Sequence, residues 1–209
     1  MICKEPVPGR VKTRLCPPCS PDGAAAIAAA AIADTLAAVA ATPATRRVVA
    51  LDGRPGAWLD RAGGHRFSVI AQRGDGLGAR LAAAVDDCFA DGDGPVVVVG
   101  MDTPQLAPEH LTQVLADLDA GADAVLGPAE DGGYWCIGLA RPLPGAFDGV
   151  PMSTDETGVA QHARLVELGA TVATAARLRD VDLAADARAV AAATPGSRFA
   201  AAVAEHLPG

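Results

Sequence analysis

Four consecutive valines, Val96–Val99, constrain the fold of this chain more than any other stretch. Because β-branched side chains without polar alternation suit a strand covered on both faces, the run predicts a buried strand of a parallel sheet. Gly100 ends the apolar run, and Pro104 biases Thr103 away from helical angles. Asp102 is therefore expected at the carboxyl edge of the sheet, where open α/β folds bind ligands.

Helical and strand-like patterns alternate along the chain after the first loop. The predicted helices cover residues 21–41, 78–89, 108–120 and 157–168, with one or two alanine-rich helices at the end. The predicted strands cover 46–51, 67–71, 96–99, 122–127, 134–139 and 170–175. This alternation predicts an α/β fold with a mainly parallel sheet between helices. Residues 1–3 are short for a first strand, so we expect that strand to be truncated.

Bulk composition indicates one domain over residues 1–209, because no linker or charge block divides the chain. A net charge of −8 argues against nucleic-acid and anionic-membrane partners. The alanine-rich stretch 24–41 carries Asp34 and is better interpreted as a packed helix than as a membrane span. No signal-peptide pattern opens the chain, so a cytoplasmic location is expected.

The cysteines and histidines indicate no familiar catalytic or zinc site. The five cysteines are an odd number, and Cys16 and Cys19 have CxxC spacing without a second pair to complete a zinc site. Neither an HExxH motif nor a GxSxG elbow is present, so zinc-peptidase and serine-hydrolase chemistry have no support.

A basic loop opens this acidic chain, with four of its 17 lysines and arginines between residues 4 and 14. Lys4, Lys12 and Arg14 can meet phosphate oxygens, Thr13 adds a hydroxyl, and Gly9 permits close backbone approach. The loop lacks the GxxxxGK[ST] spacing of a P-loop, and a solvated basic loop is the alternative interpretation.

A glycine-rich loop, residues 72–80, lies between a predicted strand and a predicted helix. Its GxGxG spacing differs from the GxGxxG of dinucleotide-binding folds, which makes an NAD site improbable. Backbone amides of the loop, with Gln72, Gly78 and Arg80, can still contact a nucleotide. A plain turn before a helix explains the pattern equally well.

A second glycine loop, Glu130-Asp131-Gly132-Gly133, precedes the predicted strand 134–139. Paired glycines permit close approach of a substrate, and the carboxylates can act on an acceptor. A tight turn with solvent-facing acids is the alternative.

Two further carboxylates, Asp180 and Asp182, are spaced so that an extended segment aims both to one side. There they could share Mg²⁺ with Asp102. Asp182 could instead cap the helix that follows, and Asp102 could be a turn residue. The acidic clusters and the basic loop together favour a metal-dependent diphosphate or triphosphate site.

These motifs, in this order and over nearly the whole chain, resemble the nucleotide-diphospho-sugar transferase (GT-A) superfamily, and within it the bacterial DUF2064 group. The resemblance includes Ser153 and Thr154. The loop at residues 12–15 and the late Asp180-Val181-Asp182 also resemble the phospholactate or phosphoenolpyruvate guanylyltransferases of cofactor F420 synthesis. One difference is that Leu183-Ala184 follows Asp182 where those enzymes tend to have Thr-Pro, which leaves the acceptor open.

The resemblance implies a single Rossmann-like GT-A domain and a transferase that uses Mg²⁺ or Mn²⁺, a nucleotide and a small acceptor. The leading expectation is nucleotidyl transfer from an NTP, guanylyl-type, with release of pyrophosphate. Glycosyl transfer from an NDP-sugar and a catalytically inactive nucleotide-binding module are the alternatives. A homodimer is compatible with both the nucleotidyltransferase and the glycosyltransferase. The implied roles are catalysis by Lys12, Arg14 and Asp131; nucleotide binding by Lys4, Gly9, Lys12, Thr13, Arg14, Gln72, Gly78 and Arg80; acceptor binding by Glu130, Asp131, Gly132, Gly133, Ser153 and Thr154; and metal binding by Asp102, Asp180 and Asp182.

Overall fold

The computed structural model describes residues 1–208 and shows seven strands and seven α-helices there. The strands are β1 (Ile2–Lys4), β2 (Val48–Asp52), β3 (Ser68–Ala71), β4 (Val96–Val99), β5 (Ala124–Pro128), β6 (Tyr134–Leu139) and β7 (Val172–Thr174). The helices are α1 (Pro21–Ala41), α2 (Ala57–Arg61), α3 (Gly76–Ala90), α4 (Pro108–Asp119), α5 (Thr157–Glu167), α6 (Ala184–Ala193) and α7 (Arg198–His206). Short 3₁₀ turns cover Thr13–Leu15 and Gly64–Arg66.

The strands form two sheets. β1, β2 and β3 make a parallel sheet in that order, with Cys3 opposite Leu51 and Val49 opposite Val69. The second sheet has the order β4-β6-β5-β7, in which β6 runs antiparallel to β4 and β5 while β5 and β7 are parallel. The predicted α/β class is confirmed. The expectation that Val96–Val99 belongs to a parallel sheet is wrong, because, within residues 1–208, β4 pairs only with β6, which runs antiparallel to it.

The two sheets contribute to one apolar core. A single buried cluster holds Cys3 and Leu51 from the first sheet and Val99 and Trp135 from the second. The Lys4 amide, at the end of β1, also contacts the sulfur of Met101 just beyond β4 at 3.2 Å. The carboxyl ends of β1 and β4 therefore lie side by side, and so do the loops that follow them.

Helix α1 is buried on two adjacent faces. Ser20 caps it by accepting a hydrogen bond from the Gly23 amide at 3.0 Å, and Pro21 fits the first turn. Ile32 packs into the sheet core, whereas Ile27 packs against the C-terminal helices. The helix is long and apolar enough to cross a membrane, but 56% of its most apolar window is buried within the protein, as in a core helix.

Most element boundaries differ from the predicted ones by only a few residues. Helix Pro21–Ala41 and strands Val96–Val99 and Tyr134–Leu139 have the predicted bounds. Helix α2 was not predicted, because its five residues lie between Gly56 and Gly63 in a stretch whose composition is typical of a loop. Strand β1 is three residues long and pairs with β2.

Candidate active site

Lys12 joins three segments that are far apart in the sequence. Its Nζ forms an ion pair with Asp102 Oδ1 and donates a hydrogen bond to the carbonyl of Val181. The Val181 amide in turn donates to the Asp102 carbonyl at 2.8 Å. The Lys12 side chain is 5% exposed, whereas that of Asp102 is 45% exposed. The ammonium is thus enclosed, while the carboxylate beside it still faces solvent.

A second ion pair links the same two outer segments nearer to the surface. Arg14 Nη1 contacts Asp182 Oδ2, and the side chains are 70% and 39% exposed. Both pairs therefore join a basic residue of the N-terminal loop to a predicted metal ligand. The structure brings the predicted phosphate-binding and metal-binding side chains into direct contact.

Apolar anchors explain why these loops meet. Leu15, directly after Arg14, and Val181, between the two late aspartates, are fully buried in one cluster with Phe199 of α7. Burial of such side chains stabilises by about 1.5–3 kcal/mol each. Because Val181 points into the protein, the flanking carboxylates of Asp180 and Asp182 remain half-exposed.

Asp180 lies where negative charge is in excess. Burial, together with the nearby carboxylates of Asp131 and Asp182, raises the pKa of Asp180 from its ordinary value of 3.8 to about 6, although Lys12 acts in the opposite direction. Asp131 lies in the loop before β6, so this loop also contributes to the electrostatics of the site.

The carboxylates form no preassembled metal cage. Among residues 1–208, no three His, Cys, Asp or Glu side chains converge closely enough to hold an ion. Lys12 and Arg14 already engage Asp102 and Asp182, respectively. The donor chemistry nevertheless fits Mg²⁺ or Mn²⁺, which prefer carboxylate oxygens, and a cation would relieve the unfavourable ionisation of Asp180.

Comparison with known families assigns the chain. A family model described as "Uncharacterized protein conserved in bacteria (DUF2064)" matches residues 35–154, more than half of the sequence. The chain belongs to the DUF2064 family. The match includes Asp102 and both glycine loops, whereas Lys12, Arg14 and the late aspartates lie outside it.

Two curated relatives extend over most of this DUF2064 protein. Both are named phosphoenolpyruvate guanylyltransferase. The one from Nocardia farcinica is 31% identical and aligns with 82% of this chain and 87% of its own. The one from Streptomyces avermitilis is 33% identical and aligns with 95% of this chain and 90% of its own.

Solved structures show the same fold. A structure from Desulfovibrio desulfuricans assigned to the nucleotide-diphospho-sugar transferases is 28% identical, with a TM-score of 0.85 over 98% of this chain and 93% of its own. At 13% identity, CMP:2-keto-3-deoxy-manno-octonic acid synthetase with CTP (TM-score 0.54, covering 77% and 85%) shares the fold alone. Glucosyl-3-phosphoglycerate synthase from Mycobacterium tuberculosis, in complex with UDP and Mn²⁺, also shares the fold alone, with a TM-score of 0.55 over 86% of this chain and 69% of its own. The DUF2064 protein is therefore a transferase with a GT-A fold.

The first glycine loop packs beside the end of β1 and β2. Gln72 Nε2 donates to the carbonyls of Cys3 at 2.8 Å and Ala50 at 3.0 Å, which fixes the orientation of its amide. Arg80 Nη1 contacts Asp52 Oδ2 at 2.8 Å. Lys4, Arg10 and Asp52 contribute to a cavity of about 70 Å³ at the same edge. Contact of these residues with a nucleotide stays a prediction.

The second glycine loop packs backbone to backbone against the start of α5. Gly132 has a φ of +91°, and an added Cβ would collide with the Asp155 carbonyl. The Gly158 amide donates to the Gly132 carbonyl at 2.8 Å. The Asp131 carboxylate accepts from the Gly133 amide at 2.8 Å. The absent side chain of Gly132 thus serves a contact within the protein, and acceptor binding by this loop stays a prediction.

The turn before α5 places Ser153 and Thr154 next to this loop. Ser153 has a φ of +61°. The Thr154 amide donates to Thr157 Oγ1 at 3.0 Å, and Thr157 Oγ1 donates to the Pro151 carbonyl at 2.7 Å. The predicted acceptor residues 130–133 and 153–154 therefore come together. Gly78 lies nearby, since an added Cβ would be 3.4 Å from Met152 Cε.

Two residues of the site were not identified from sequence. Gln105 Nε2 donates to the Arg179 carbonyl, while Gln105 Oε1 is buried without a hydrogen-bond partner. Arg179 Nη2 contacts Glu130 Oε2 at 2.6 Å, and its Nη1 lies 3.6 Å from Asp186 Oδ1. Arg179 adjoins the late aspartates, which was a usable signal, but nothing in the local pattern distinguishes Gln105.

The remaining predicted residues of the basic loop are at the surface. Gly9 has a φ of +73° with open space around the position of a Cβ. Thr13 is exposed at the start of the 3₁₀ turn that carries Arg14. Their location leaves both free to approach a ligand.

Proposed function

We propose that this DUF2064 protein is a nucleotidyltransferase that moves a nucleoside monophosphate, guanylyl in its leading form, from an NTP to a small phosphorylated or carboxylated acceptor. The observation that carries the proposal is the contact of Lys12 and Arg14 with the carboxylates of Asp102 and Asp182. One cluster supplies both the cations that a polyphosphate needs and the oxygen ligands that a divalent ion needs.

The chemistry follows from these side chains. An acceptor oxygen forms a bond to the α-phosphorus as the bridging α–β P–O bond breaks, and pyrophosphate leaves with that bond's electron pair. Lys12 and Arg14 bind the β- and γ-phosphates, where negative charge develops. Asp102, Asp180 and Asp182 would hold Mg²⁺ or Mn²⁺, which when bound neutralises phosphate charge. A phosphate or carboxylate acceptor is already anionic at neutral pH and requires no strong base.

We assign the acceptor to the side of the site formed by residues 130–133 and 153–154. Of the carboxylates near Asp180, Asp131 raises the pKa of Asp180 the most, so this side lies next to the late aspartates. The names of the two relatives make GTP and phosphoenolpyruvate the first pair to test. Leu183, which follows the late aspartates, is 54% exposed and can contact the acceptor. Because those guanylyltransferases tend to have Thr-Pro here, this position is the place to expect a different acceptor.

Glycosyl transfer from an NDP-sugar is the second candidate, supported by the 28% identical structure assigned to the nucleotide-diphospho-sugar transferases. That reaction needs a base for an acceptor hydroxyl, for which Glu130 and Asp131 are the candidates. Glu130 is ion-paired with Arg179 at 2.6 Å, and Asp131 accepts from the Gly133 amide. Both carboxylates therefore already have partners within the protein, whereas an anionic acceptor needs no base, which favours nucleotidyl transfer.

The test measures pyrophosphate and NDP release separately, with each of the four NTPs or common NDP-sugars, phosphoenolpyruvate or other small acceptors, and Mg²⁺ or Mn²⁺. Pyrophosphate release that depends on the acceptor and is lost in Asp102→Asn supports the proposal. Release of NDP alone identifies a glycosyltransferase instead. Nucleotide binding without either product leaves a binding module, and both of these outcomes overturn the proposal.

A further inference from the structure

The predicted phosphate ligands and the predicted metal ligands neutralise each other in this structure. Lys12 pairs with Asp102, and Arg14 pairs with Asp182. For the proposed reaction, all four side chains must change partners, since the cations contact phosphate and the carboxylates contact metal. The pairs therefore bear on which ligands the site accepts.

Of the two pairs, Lys12–Asp102 restricts the choice of ligand more strongly, because Lys12 is enclosed. With a side chain only 5% exposed, Lys12 has the Asp102 carboxylate and the Val181 carbonyl as its polar partners. Breaking such a pair by removing one partner is costly because the other charge is left buried and uncompensated. A free divalent ion at Asp102 would leave Lys12 without its counter-charge. A free anion at Lys12 would leave Asp102 without its counter-charge, at a smaller cost because that carboxylate is 45% exposed.

We propose that the Lys12–Asp102 and Arg14–Asp182 pairs make the site selective for a metal-chelated polyphosphate over the free metal ion or the free anion. A chelate delivers both charges together, so each side chain exchanges one opposite charge for another. The inference rests on the proposed function and adds to it that metal and polyphosphate bind cooperatively. By linkage, each must raise the affinity of the other by the same factor.

The test uses three probes on the whole protein: Mn²⁺ alone, pyrophosphate alone, and pyrophosphate with Mn²⁺. Mn²⁺ binding is measured by electron paramagnetic resonance of the free ion, and pyrophosphate binding by calorimetry. Lys12→Met should bind free Mn²⁺ about tenfold more tightly than the unchanged protein, because Asp102 has lost its internal cation. Asp102→Asn should bind metal-free pyrophosphate about tenfold more tightly, because Lys12 has lost its internal anion.

Both variants should bind the Mn²⁺-pyrophosphate complex more weakly than the unchanged protein. A gain for one free ion together with a loss for the complex distinguishes altered selectivity from a general effect of net charge. Arg46→Met is the matched control, since it removes the cation of the Arg46–Asp91 pair before β2, at the opposite edge of the sheet. It should alter none of the three affinities. If Lys12→Met does not fold, Arg14→Met and Asp182→Asn carry the same measurements at more exposed positions.

The inference is wrong if Lys12→Met fails to gain Mn²⁺ affinity or Asp102→Asn fails to gain affinity for metal-free pyrophosphate. In that case, tight binding of Mg²⁺-GTP to the unchanged protein would leave the proposed function standing. If neither GTP nor pyrophosphate binds with or without metal, the proposed function itself fails.

Discussion

Two loop clusters at this site are held together by different kinds of contact. In the cluster of Lys12, Arg14 and the aspartates, side-chain charges face one another, and all of them except Lys12 remain partly exposed. The cluster around Gly132 is held by backbone contacts that tolerate no side chain. Charges can change partners when a ligand arrives, whereas a backbone contact cannot. The first cluster is therefore suited to exchanging partners with a ligand, and the second to holding its loop in place against α5.

The largest expected effect is in the glycine cluster. Gly132→Ala should lower the free energy of unfolding by about 3 kcal/mol or more, because a positive φ and a collision with the Asp155 carbonyl act together. Urea denaturation measures the change. Gly9→Ala is the control, since Gly9 shares the positive φ but has open space around it, and it should cost about 1 kcal/mol. Equal costs for the two variants would contradict the packing role.

In the charged cluster, Asp102→Asn should leave the fold nearly unchanged and weaken Mg²⁺-dependent GTP binding at least about 100-fold, because a metal oxygen ligand is lost. Calorimetry with and without Mg²⁺ measures the difference. Asp93→Asn, at an exposed position in the loop before β4, removes the same charge and should have no effect. An unchanged metal-dependent affinity would show that Asp102 is not a ligand.

Arg14→Ala should have a smaller effect, weakening GTP binding about tenfold, because its guanidinium is 70% exposed and shares the phosphates with the enclosed Lys12. Arg141→Ala is the matched control, since Arg141 also forms an exposed pair, with Asp123 before β5, away from every predicted site residue. A dissociation constant that Arg14→Ala does not alter would remove Arg14 from the phosphate site.

The sequence predicted the elements well where local chemistry sets them. Helix Pro21–Ala41 begins at a serine cap followed by proline, and strand Val96–Val99 is an uninterrupted β-branched run. The antiparallel direction of β6 was not predictable, because an apolar stretch has the same pattern in either direction. Within the site, the basic loop around Lys12 and the position of Asp102 after a strand predicted a binding site for phosphate and metal.

Their mutual pairing could not be predicted, because it depends on the burial of Leu15 and Val181 against the C-terminal helices. The same holds for the hydrogen bond from Gln105 to the Arg179 carbonyl, which joins residues 74 positions apart. The two glycines before β6 indicate room for a substrate, and that interpretation stays a prediction. The structure shows instead that the backbone at Asp155 and Gly158 approaches this loop, a contact that the same pattern allows.

The smallest expected effect tests whether the charged cluster opposes folding. Asp180 has a pKa raised to about 6 in the folded protein, mainly by burial, against an ordinary value of 3.8. The folded state therefore holds the proton more tightly, and stability falls as the pH rises through the interval between these two values. Asp180→Asn removes that cost and should stabilise the protein by about 1 kcal/mol at pH 7.5, after allowance for its half-exposed side chain.

Below pH 4 the advantage of Asp180→Asn should largely vanish, because the carboxyl is then mostly protonated in the unfolded protein as well as in the folded one. Thermal unfolding at pH 7.5 and pH 3.5 measures both limits, with Asp93→Asn, in the exposed loop before β4, as the control for the loss of one negative charge. A variant less stable than the unchanged protein at pH 7.5 would contradict the prediction. Saturating Mn²⁺ should narrow the difference at pH 7.5, because an ion held by ionised Asp180 stabilises only the unchanged protein.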